Sequence, residues 1–344
     1  MAGSNRALRS GKLPAHMLAD LLAKIPRNDR RVVLWPEIGE DAAAIEFGET
    51  LLIAKTDPIT FAADLIGWYA VHINANDIAT CGATPRWFMA NVLLPEAVEE
   101  AVVEAIFDDL VRACAELGVS LIGGHTEITP QVARPVVVGC MLGEVGRGGL
   151  VRTAGARPGD ALLLTKGIAI EGTAVLAREA GQELRARGVG EEQLGRARGL
   201  LFAPGISVVR ECGILAQSAG VTAMHDPTEG GLATGLWEMA HASGQGLRVD
   251  EEAIAILPEC RAICEALGLD PLGLIASGAL LAALEPQRAK AATEELRQSG
   301  IEAAIIGEVR PRDDGVVLDS KAGRRPLPQF ERDELARYFD QPAA

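Results

Sequence analysis

The alternation of apolar and polar positions predicts short strands and amphipathic helices that follow one another along the chain. Apolar runs bounded by Gly, Pro and acidic residues are typical of buried strands. Stretches in which apolar residues recur every three or four positions are typical of helices that pack one face on a core. The clearest helix covers residues 96–117 and is closed by Gly118. This order of elements predicts an α/β (α+β) fold.

The pattern also predicts where the elements lie and where the chain divides. The predicted strands are 32–35, 51–54, 87–94, 119–122, 135–144, 161–165, 221–225, 247–249, 279–284 and 303–309; the predicted helices are 13–25, 62–80, 96–117, 171–180, 206–218, 232–243, 258–267 and 287–298. The pattern predicts an exposed excursion at residues 181–199. It also predicts a surface helix with a frayed tail from about residue 324. The Gly-rich, basic stretch 146–159 predicts a boundary between two domains, residues 1–148 and 149–344.

Composition narrows the class of protein. The chain has 344 residues, of which 48% are hydrophobic, so it is long enough for two domains with substantial cores. Its net charge of −14 argues against binding to nucleic acid or to an anionic membrane. There are six cysteines without a CxxC pair, no apolar segment near the start, and no apolar run of about 18 residues. These features predict a cytoplasmic protein with free thiols.

Polar residues in the stretch 51–95 are the first candidates for chemistry. An apolar run ends in Lys55, Thr56 and Asp57, and the following helix carries Asn74 and Asp77 at positions three apart. We expect both carboxylates at junctions with loops, where a scaffold presents them to a ligand. An Asn and an Asp inside an apolar helix are costly to bury unpaired, so they bond locally or bind a ligand, and we favour a ligand.

Three further motifs are ambiguous when taken alone. Asp41 follows Gly39 and Glu40, which fits either a solvated turn or a metal site beside Asp57 and Asp77. The sequence Gly123-Gly124-His125-Thr126-Glu127 follows a strand, where glycines let backbone N–H groups approach a ligand. The turn from Asp226 to Gly231 opens a helix, whose N-terminus suits an anion, although it also fits an ordinary capped connection at Thr228. The common nucleotide motifs, GxxxxGK[ST] and GxGxxG with a downstream acid, are missing.

Taken in order, these motifs resemble one known family. The series IGEDAA, AKTD, INANDIATCGATP, GGHTE and DPTEGGLA is similar to that of the AIR-synthase-related (PurM-like) superfamily, and MHDPTEGGLAT resembles its HypE branch, which acts in hydrogenase maturation. The match runs from about residue 36 to 310. The resemblance implies an N-terminal domain that forms a dimer sheet and a C-terminal α+β domain.

The resemblance also implies a homodimer that binds ATP and Mg²⁺ in a cleft. The implied metal ligands are Asp41, Asp57, Asp77 and Glu127, whose hard oxygens suit Mg²⁺. The implied nucleotide-binding residues are Lys55, Thr56, Gly123, Gly124, Asp226, Thr228, Gly230 and Gly231. His125 is a candidate for donation to a phosphate or for acid–base catalysis, and a structural role in its loop is an equal alternative. Lys166 is a second candidate for a charge partner of the phosphates.

Two functions remain open, with a third less favoured. The first is an ATP- and Mg-dependent enzyme that phosphorylates an oxygen of a small-molecule or protein-borne acceptor. HypE proteins carry a carbamoyl group on a C-terminal Cys, whereas this chain ends YFDQPAA, so we expect an acceptor other than its own tail. The second is a non-catalytic ATP-binding dimer with a regulatory or accessory role. Thiamine-monophosphate kinase is less favoured, because its members have Asp where His125 stands.

Overall fold

The computed structural model describes residues 11–60, 64–218 and 220–340. The helices are α1 Ala15–Leu22, α2 Ile66–Thr80, α3 Glu100–Leu117, α4 Ile170–Glu179, α5 Gly181–Ala186, α6 Glu191–Gly199, α7 Val209–Gln217, α8 Gly231–Ser243, α9 Pro258–Leu267, α10 Pro286–Gln298 and α11 Glu334–Phe339. The strands are β1 Val32–Leu34, β2 Ala43–Phe47, β3 Thr50–Ile59, β4 Thr84–Leu94, β5 Ser120–Ile128, β6 Val136–Gly146, β7 Ala161–Thr165, β8 Val221–His225, β9 Gly246–Asp250, β10 Leu281–Leu284, β11 Ala303–Arg310, β12 Val316–Ser320 and β13 Gly323–Pro326. The prediction of a mixed α/β fold is confirmed.

The first half of the chain builds a six-stranded sheet in the order β1-β2-β3-β6-β4-β5. Its pairings are antiparallel except for the parallel pair β4–β5. Every residue of α2 is buried, because the sheet covers one side of this helix and α3 and α7 cover others. A helix with apolar residues all round its surface is typical of such a position. This buried helix therefore holds its few polar side chains in fixed places.

The strand β5 differs from its sequence-based prediction. We expected the strand to stop at Ile122 and the glycines to form a loop, but β5 continues through Gly123, Gly124 and Glu127. Gly124 pairs with Ala90 of β4, and a Cβ at Gly124 would lie 1.9 Å from the Ala90 carbonyl oxygen. The close approach of the two strands therefore gives a structural reason for glycine at Gly124, whereas a Cβ at Gly123 would meet nothing within 4 Å. β5 is an edge strand, and nearly all of its residues are exposed.

The second half builds a seven-stranded sheet in the order β13-β12-β9-β11-β7-β10-β8. One prediction for this half is wrong, and one hairpin was not predicted. Residues 181–199, expected to be an exposed excursion, form α5 and α6, whose Leu184 and Leu194 are fully buried. The helix expected after residue 324 is present as α11, but the hairpin of β12 and β13 that precedes it was not predicted. Charged faces concealed the apolar stripes of α5 and α6.

Asn76 joins the two halves directly. Its side-chain amide donates to the Ile206 carbonyl at 2.9 Å and accepts from the Val208 N–H at 2.9 Å. Ile206 also belongs to the same apolar cluster as α2. These contacts hold the second half against the helix that carries Asp77.

One stretch, residues 191–217, has the length and mean hydropathy of a segment able to cross a membrane. It is not one continuous helix, because Ala203 leaves helical geometry between α6 and α7. A stretch of this kind is weak evidence for membrane insertion.

Candidate functional site

Lys55 lies between two of the predicted metal ligands. Its ammonium group is 3.3 Å from Asp57 Oδ2 and 3.2 Å from Asp77 Oδ1. Alternation along β3 places Lys55 and Asp57 on one face of the strand, toward α2. Burial alone lowers the pKa of Lys55, but the charges of Asp77 and Asp57 outweigh it and raise that pKa. The site is thus a cation held among carboxylates.

The expected position of these carboxylates at loop junctions is wrong. Asp57 lies inside β3, which continues to Ile59, and Asp77 lies inside α2. Asn74 fixes their separation, since its Oδ1 accepts from the Asp57 N–H at 2.9 Å and its Nδ2 donates to Ala70 O at 2.8 Å. Asn74 therefore binds backbone rather than a ligand, contrary to the interpretation that we favoured.

Asp41 and Asp226 complete a group of four acids. Lys55 lies within electrostatic range of Asp77, Asp57, Asp41 and Asp226. One ligand atom each from Asp41, His225 and Asp226 lies within 4.8 Å of the others, in an arrangement that fits a metal ion. Asp41 and Asp77 come from the first half of the chain and Asp226 from the second, so the group joins the two halves. We name Asp41, Asp57, Asp77 and Asp226 the acid cluster.

Several oxygens of the acid cluster have no hydrogen-bond partner within the described residues. They are Asp41 Oδ2, Asp77 Oδ2 and both oxygens of Asp226. Buried polar atoms normally have partners, and hard carboxylate oxygens suit Mg²⁺. Burial, followed by the charge of Asp41, raises the pKa of Asp226 to about 8, and burial raises the pKa of Asp77 well above its usual value. These oxygens fit a cation that would keep both groups ionised.

His225 connects the acid cluster to the second half of the chain. Its Nδ1 is 2.8 Å from Asp41 Oδ1, and its Nε2 is 3.0 Å from Glu238 Oε2. Burial lowers the pKa of His225, but Asp41 and Glu238 outweigh it and raise that pKa well above 6.5. Lys12 contacts the other oxygen of Glu238 at 3.3 Å. The order of groups is therefore Lys12, Glu238, His225 and Asp41, alternating in charge.

The turn from Asp226 to Gly231 opens α8 differently from the prediction. Thr228 does not cap the helix; its carbonyl accepts from the N–H groups of Gly231 and Ala276. Gly230 is the N-cap, with φ +80° and a close approach to Thr234, so its glycine has a structural cause. The Gly230 N–H donates to Asp333 Oδ2 at 2.6 Å. A carboxylate of the chain itself thus occupies this donor at the helix N-terminus.

The residues of β5 lie away from the acid cluster within one chain. Asp57 on β3 is aligned with Gly139 on β6, Ala90 on β4 and Gly124 on β5. Three strand spacings separate Asp57 from Gly124, or about 14 Å. Beyond Gly124, His125 and Glu127 are exposed and 3.1 Å apart. The structure does not bring Gly123, Gly124, His125 or Glu127 together with the other predicted site residues.

Two other predicted residues have structural contacts. Thr56 alternates to the face of β3 opposite Lys55 and donates its hydroxyl to Gly139 O at 2.7 Å. Lys166 is buried 2.7 Å from Glu211 and donates to the carbonyls of Gly205 and Ser207. Lys166 is therefore engaged within the fold and is not a charge partner for phosphates, contrary to expectation.

Sequence reasoning missed His225, Glu238 and Lys12. His225 stands directly before Asp226, so its place at a strand end was a usable signal. Glu238 lies about two turns into α8, and nothing in the helical pattern marks it as different from a solvated acid. Lys12 precedes α1 and carries no local signal. These partners meet only in the folded chain.

Comparison with protein families gives two adjacent matches. The model of the N-terminal domain of AIR synthase related proteins matches residues 39–145, and the model of the C-terminal domain matches residues 157–320. Among curated proteins, carbamoyl dehydratase HypE of Rhizobium leguminosarum bv. viciae is 32% identical over 341 residues, which cover 95% of this chain and 92% of that protein.

Solved structures give the same relationship. The crystal structure of Escherichia coli HypE is similar with a TM-score of 0.73 at 26% identity, covering 83% of this chain and 88% of that chain. A structure of the hydrogenase maturation protein HypE in complex with ATP is similar with a TM-score of 0.71 at 26% identity, covering 95% of this chain and 98% of that chain.

Proposed function

Because the chain belongs to the AIR synthase related family, we propose that it is an ATP-dependent enzyme of the AIR synthase and HypE type. It activates an oxygen of an acceptor by phosphoryl transfer from ATP. The family resemblance inferred from the motif series is confirmed by both domain matches. The observation that carries the proposal is the acid cluster, in which four carboxylates from both halves of the chain surround Lys55 and leave buried oxygens unpartnered.

We propose Mg²⁺ as the ion of this site. Asp41, Asp57, Asp77 and Asp226 would hold it, and the unpartnered oxygens support that fit. When bound, the ion neutralises phosphate charge. Lys55 adds a second positive charge beside the phosphates and keeps Asp57 and Asp77 from repelling each other. His225 orients Asp41 through its Oδ1, so that Oδ2 stays available. Catalysis of this kind rests mainly on positioning and charge.

The acceptor that we propose is a carbamoyl group, by analogy with relatives named carbamoyl dehydratase. Its carbonyl oxygen attacks the γ-phosphate of ATP, and ADP leaves. Loss of that oxygen as inorganic phosphate, together with both protons of the nitrogen, gives a nitrile. The sum is R–CO–NH₂ + ATP → R–CN + ADP + Pi. We propose that this carbamoyl group is borne on a thiol of another protein.

We further propose a homodimer in which β5 of one copy meets the acid cluster of the other. An edge strand with unpaired backbone groups is a template for pairing with another chain. Ile122 and Ile128 are 53% and 63% exposed on β5, and Val111 is 58% exposed on α3. Because Gly124 lies far from Asp57 within one chain, we propose that a second copy supplies Gly123, Gly124, His125 and Glu127. The domain boundary at residues 148 and 149 and the cytoplasmic location stay predictions.

The test uses the full chain with Mg-ATP and S-carbamoyl-N-acetylcysteine as acceptor. Phosphorus NMR follows ADP and phosphate, and infrared spectroscopy follows the thiocyanate product. We expect acceptor-dependent ADP release that is lost in Asp57→Asn and kept in Asp108→Asn, an exposed control on α3. Binding of Mg-ATP without release of ADP for any carbamoyl acceptor would favour the alternative, a non-catalytic ATP-binding dimer. Phosphorylation of thiamine monophosphate would favour the kinase alternative.

A further inference from the structure

A second group of polar side chains lies beside the acid cluster. Glu171 stands in the first turn of α4, Ser277 precedes β10, and Asp333 precedes α11. The Gly172 N–H donates to Ile275 O at 3.2 Å, which brings the start of α4 against the segment that carries Ser277. We name Glu171, Ser277 and Asp333 the junction cluster. Three separate segments of the second half therefore converge on one buried place.

Two atoms of the junction cluster have no hydrogen-bond partner within the described residues. They are Glu171 Oε2 and Ser277 Oγ, on side chains that are 9% and 1% exposed. The Ser277 hydroxyl lies near enough to lower the pKa of Glu171, but neither Glu171 Oε2 nor Ser277 Oγ forms a hydrogen bond within the described residues. The hydroxyl of Tyr69 is also unpartnered, 1% exposed, and within electrostatic range of Glu171. Buried polar atoms without partners are rare in folded proteins and need an explanation. A bound molecule that supplies the missing partners is such an explanation.

The charges of the junction cluster select the chemistry of that molecule. Both oxygens of Asp333 are already engaged, by the N–H of Gly230 at 2.6 Å and the N–H of Leu335 at 2.7 Å. Glu171 forms no ion pair within the described residues, and the charges that act on it come from Asp333 and Glu229. A phosphate would be repelled here. A group with N–H donors would satisfy Glu171 Oε2 and donate to or accept from Ser277 Oγ.

The junction cluster adjoins the acid cluster through the turn that opens α8. The Ala276 N–H donates to Thr228 O at 3.2 Å, and the same turn carries Asp226. Glu229 lies within electrostatic range of Asp57 on one side and of Glu171 on the other. A molecule bound at the junction cluster would thus extend toward the phosphates of a nucleotide at the acid cluster.

We propose that Glu171 and Ser277 form a subsite for an N–H donor group of the acceptor, an amide or ammonium nitrogen, while Asp333 holds the surrounding backbone. This proposal rests on the proposed function, because the occupant is taken to be the acceptor of phosphoryl transfer. It assigns the nitrogen end of that acceptor to α4 and the oxygen end to the acid cluster. Neither residue stands in a motif that the sequence analysis singled out.

The experiment uses the full chain and three small probes in saturation-transfer NMR. Acetamide represents an amide nitrogen, methylammonium represents an ammonium nitrogen, and N,N-dimethylacetamide lacks N–H donors. We expect acetamide or methylammonium to receive saturation from the protein, and N,N-dimethylacetamide to receive none. The probe that binds distinguishes the two sources of the N–H group. Equal transfer to all three probes, or transfer to none of them, would overturn the proposal.

Variants locate the binding. In Glu171→Gln and Ser277→Ala we expect the Kd of the bound probe to rise about tenfold, which corresponds to one lost hydrogen bond of ordinary strength. Glu179→Gln, at the exposed end of the same helix, is the matched control and should bind as the unaltered chain does. An unchanged Kd in both junction variants would overturn the proposal. If Glu171→Gln does not fold, the Kd measured for Ser277→Ala still tests the proposal.

Calorimetry with Mg-ATP separates this proposal from the proposed function. We expect both junction variants to bind Mg-ATP with unchanged affinity, and a loss of that affinity would assign the cluster to the nucleotide and overturn the proposal. If the unaltered chain binds the N–H probe but not Mg-ATP, the subsite stands and the proposed function fails.

Discussion

His225 Nδ1 lies 2.8 Å from Asp41 Oδ1, and the two residues come from opposite halves of the chain. The other ring nitrogen of His225 contacts Glu238 at 3.0 Å, so both N–H groups of the ring meet carboxylates. A buried cation between two buried anions costs most when one partner is removed. The contact therefore fixes Asp41 in the acid cluster and ties this arrangement to α8.

We expect His225→Gln to lower the free energy of unfolding by about 3 kcal/mol, because it leaves buried carboxylates without their cation. Glu238→Gln should cost less. The double variant should lose about 1–3 kcal/mol less than the sum of the single variants, since the residues share one network. Urea unfolding measures all three. The exposed pair Arg325 and Glu251 is the control, and additive losses at His225 and Glu238 would contradict the network.

Lys55 offers a second test of the same charges. Lys55→Met removes the cation between Asp57 and Asp77, so we expect a loss of about 2 kcal/mol in metal-free buffer. Added Mg²⁺ should restore more stability to this variant than to the unaltered chain, because the ion replaces the missing charge. Thermal unfolding with and without Mg²⁺ measures the difference. Equal effects of Mg²⁺ on both proteins would show that the ion does not bind beside Lys55.

The exposed edge of the first sheet leads to a prediction about assembly. Ile122→Glu on β5 and Val111→Glu on α3 should shift the chain from dimer to monomer, because each places a charge on an apolar surface. Light scattering after gel filtration gives the mass directly. Phe339→Glu changes an exposed apolar residue of α11 and should leave the mass unchanged. A monomer in the unaltered chain, or dimers in both surface variants, would contradict the proposed interface.

Glu171 predicts how stability changes with pH. Burial raises its pKa from 4.5 to about 7, although the Ser277 hydroxyl lowers it. Between these values the folded chain holds a proton that the unfolded chain has lost, so this group makes stability fall as pH rises through that window. The full effect is about 3 kcal/mol. The fall is complete above the folded pKa.

The matching measurement compares Glu171→Gln with the unaltered chain across that window. The stability difference should move in favour of the variant by about 3 kcal/mol as pH rises, and then stay level. Glu179→Gln, which is exposed, should show no such change. A difference independent of pH would mean that Glu171 titrates normally.

Much of the fold followed from the sequence because its apolar patterns are strong. The helix 258–267 was predicted with the bounds it has, since Pro258 and Gly268 mark its ends. β12 and β13 were not predicted from the sequence, because a strand such as Gly323–Pro326 is entirely exposed and has no apolar alternation. The same local patterns could not separate the polar residues of α2 by role. Asn74 and Asp77 are three apart, yet one binds backbone and the other Lys55.

The candidate site was predictable only in part, for a physical reason. Asp41, Asp57 and Asp77 stand in motifs that resemble a known family, and the fold places them around one lysine. The role of His225 depends on Glu238 and Asp41, which are 13 and 184 positions away along the chain. Contacts at such separations leave no periodic trace in the sequence. For the same reason, the local sequence pattern did not reveal that Glu127 lies on an exposed edge strand.

Titration calorimetry with ATP, with and without Mg²⁺, tests the central claim most directly, when applied to the unaltered chain, Asp57→Asn and Asp226→Asn. We predict Mg-dependent binding to the unaltered chain, at least about tenfold weaker binding to both variants, and unchanged binding to Asp108→Asn. Asp226→Asn should also keep its fold, because it removes a buried carboxyl whose oxygens have no partner. Mg-ATP affinity that is equal in all four proteins would contradict the assignment of the acid cluster as the nucleotide and metal site.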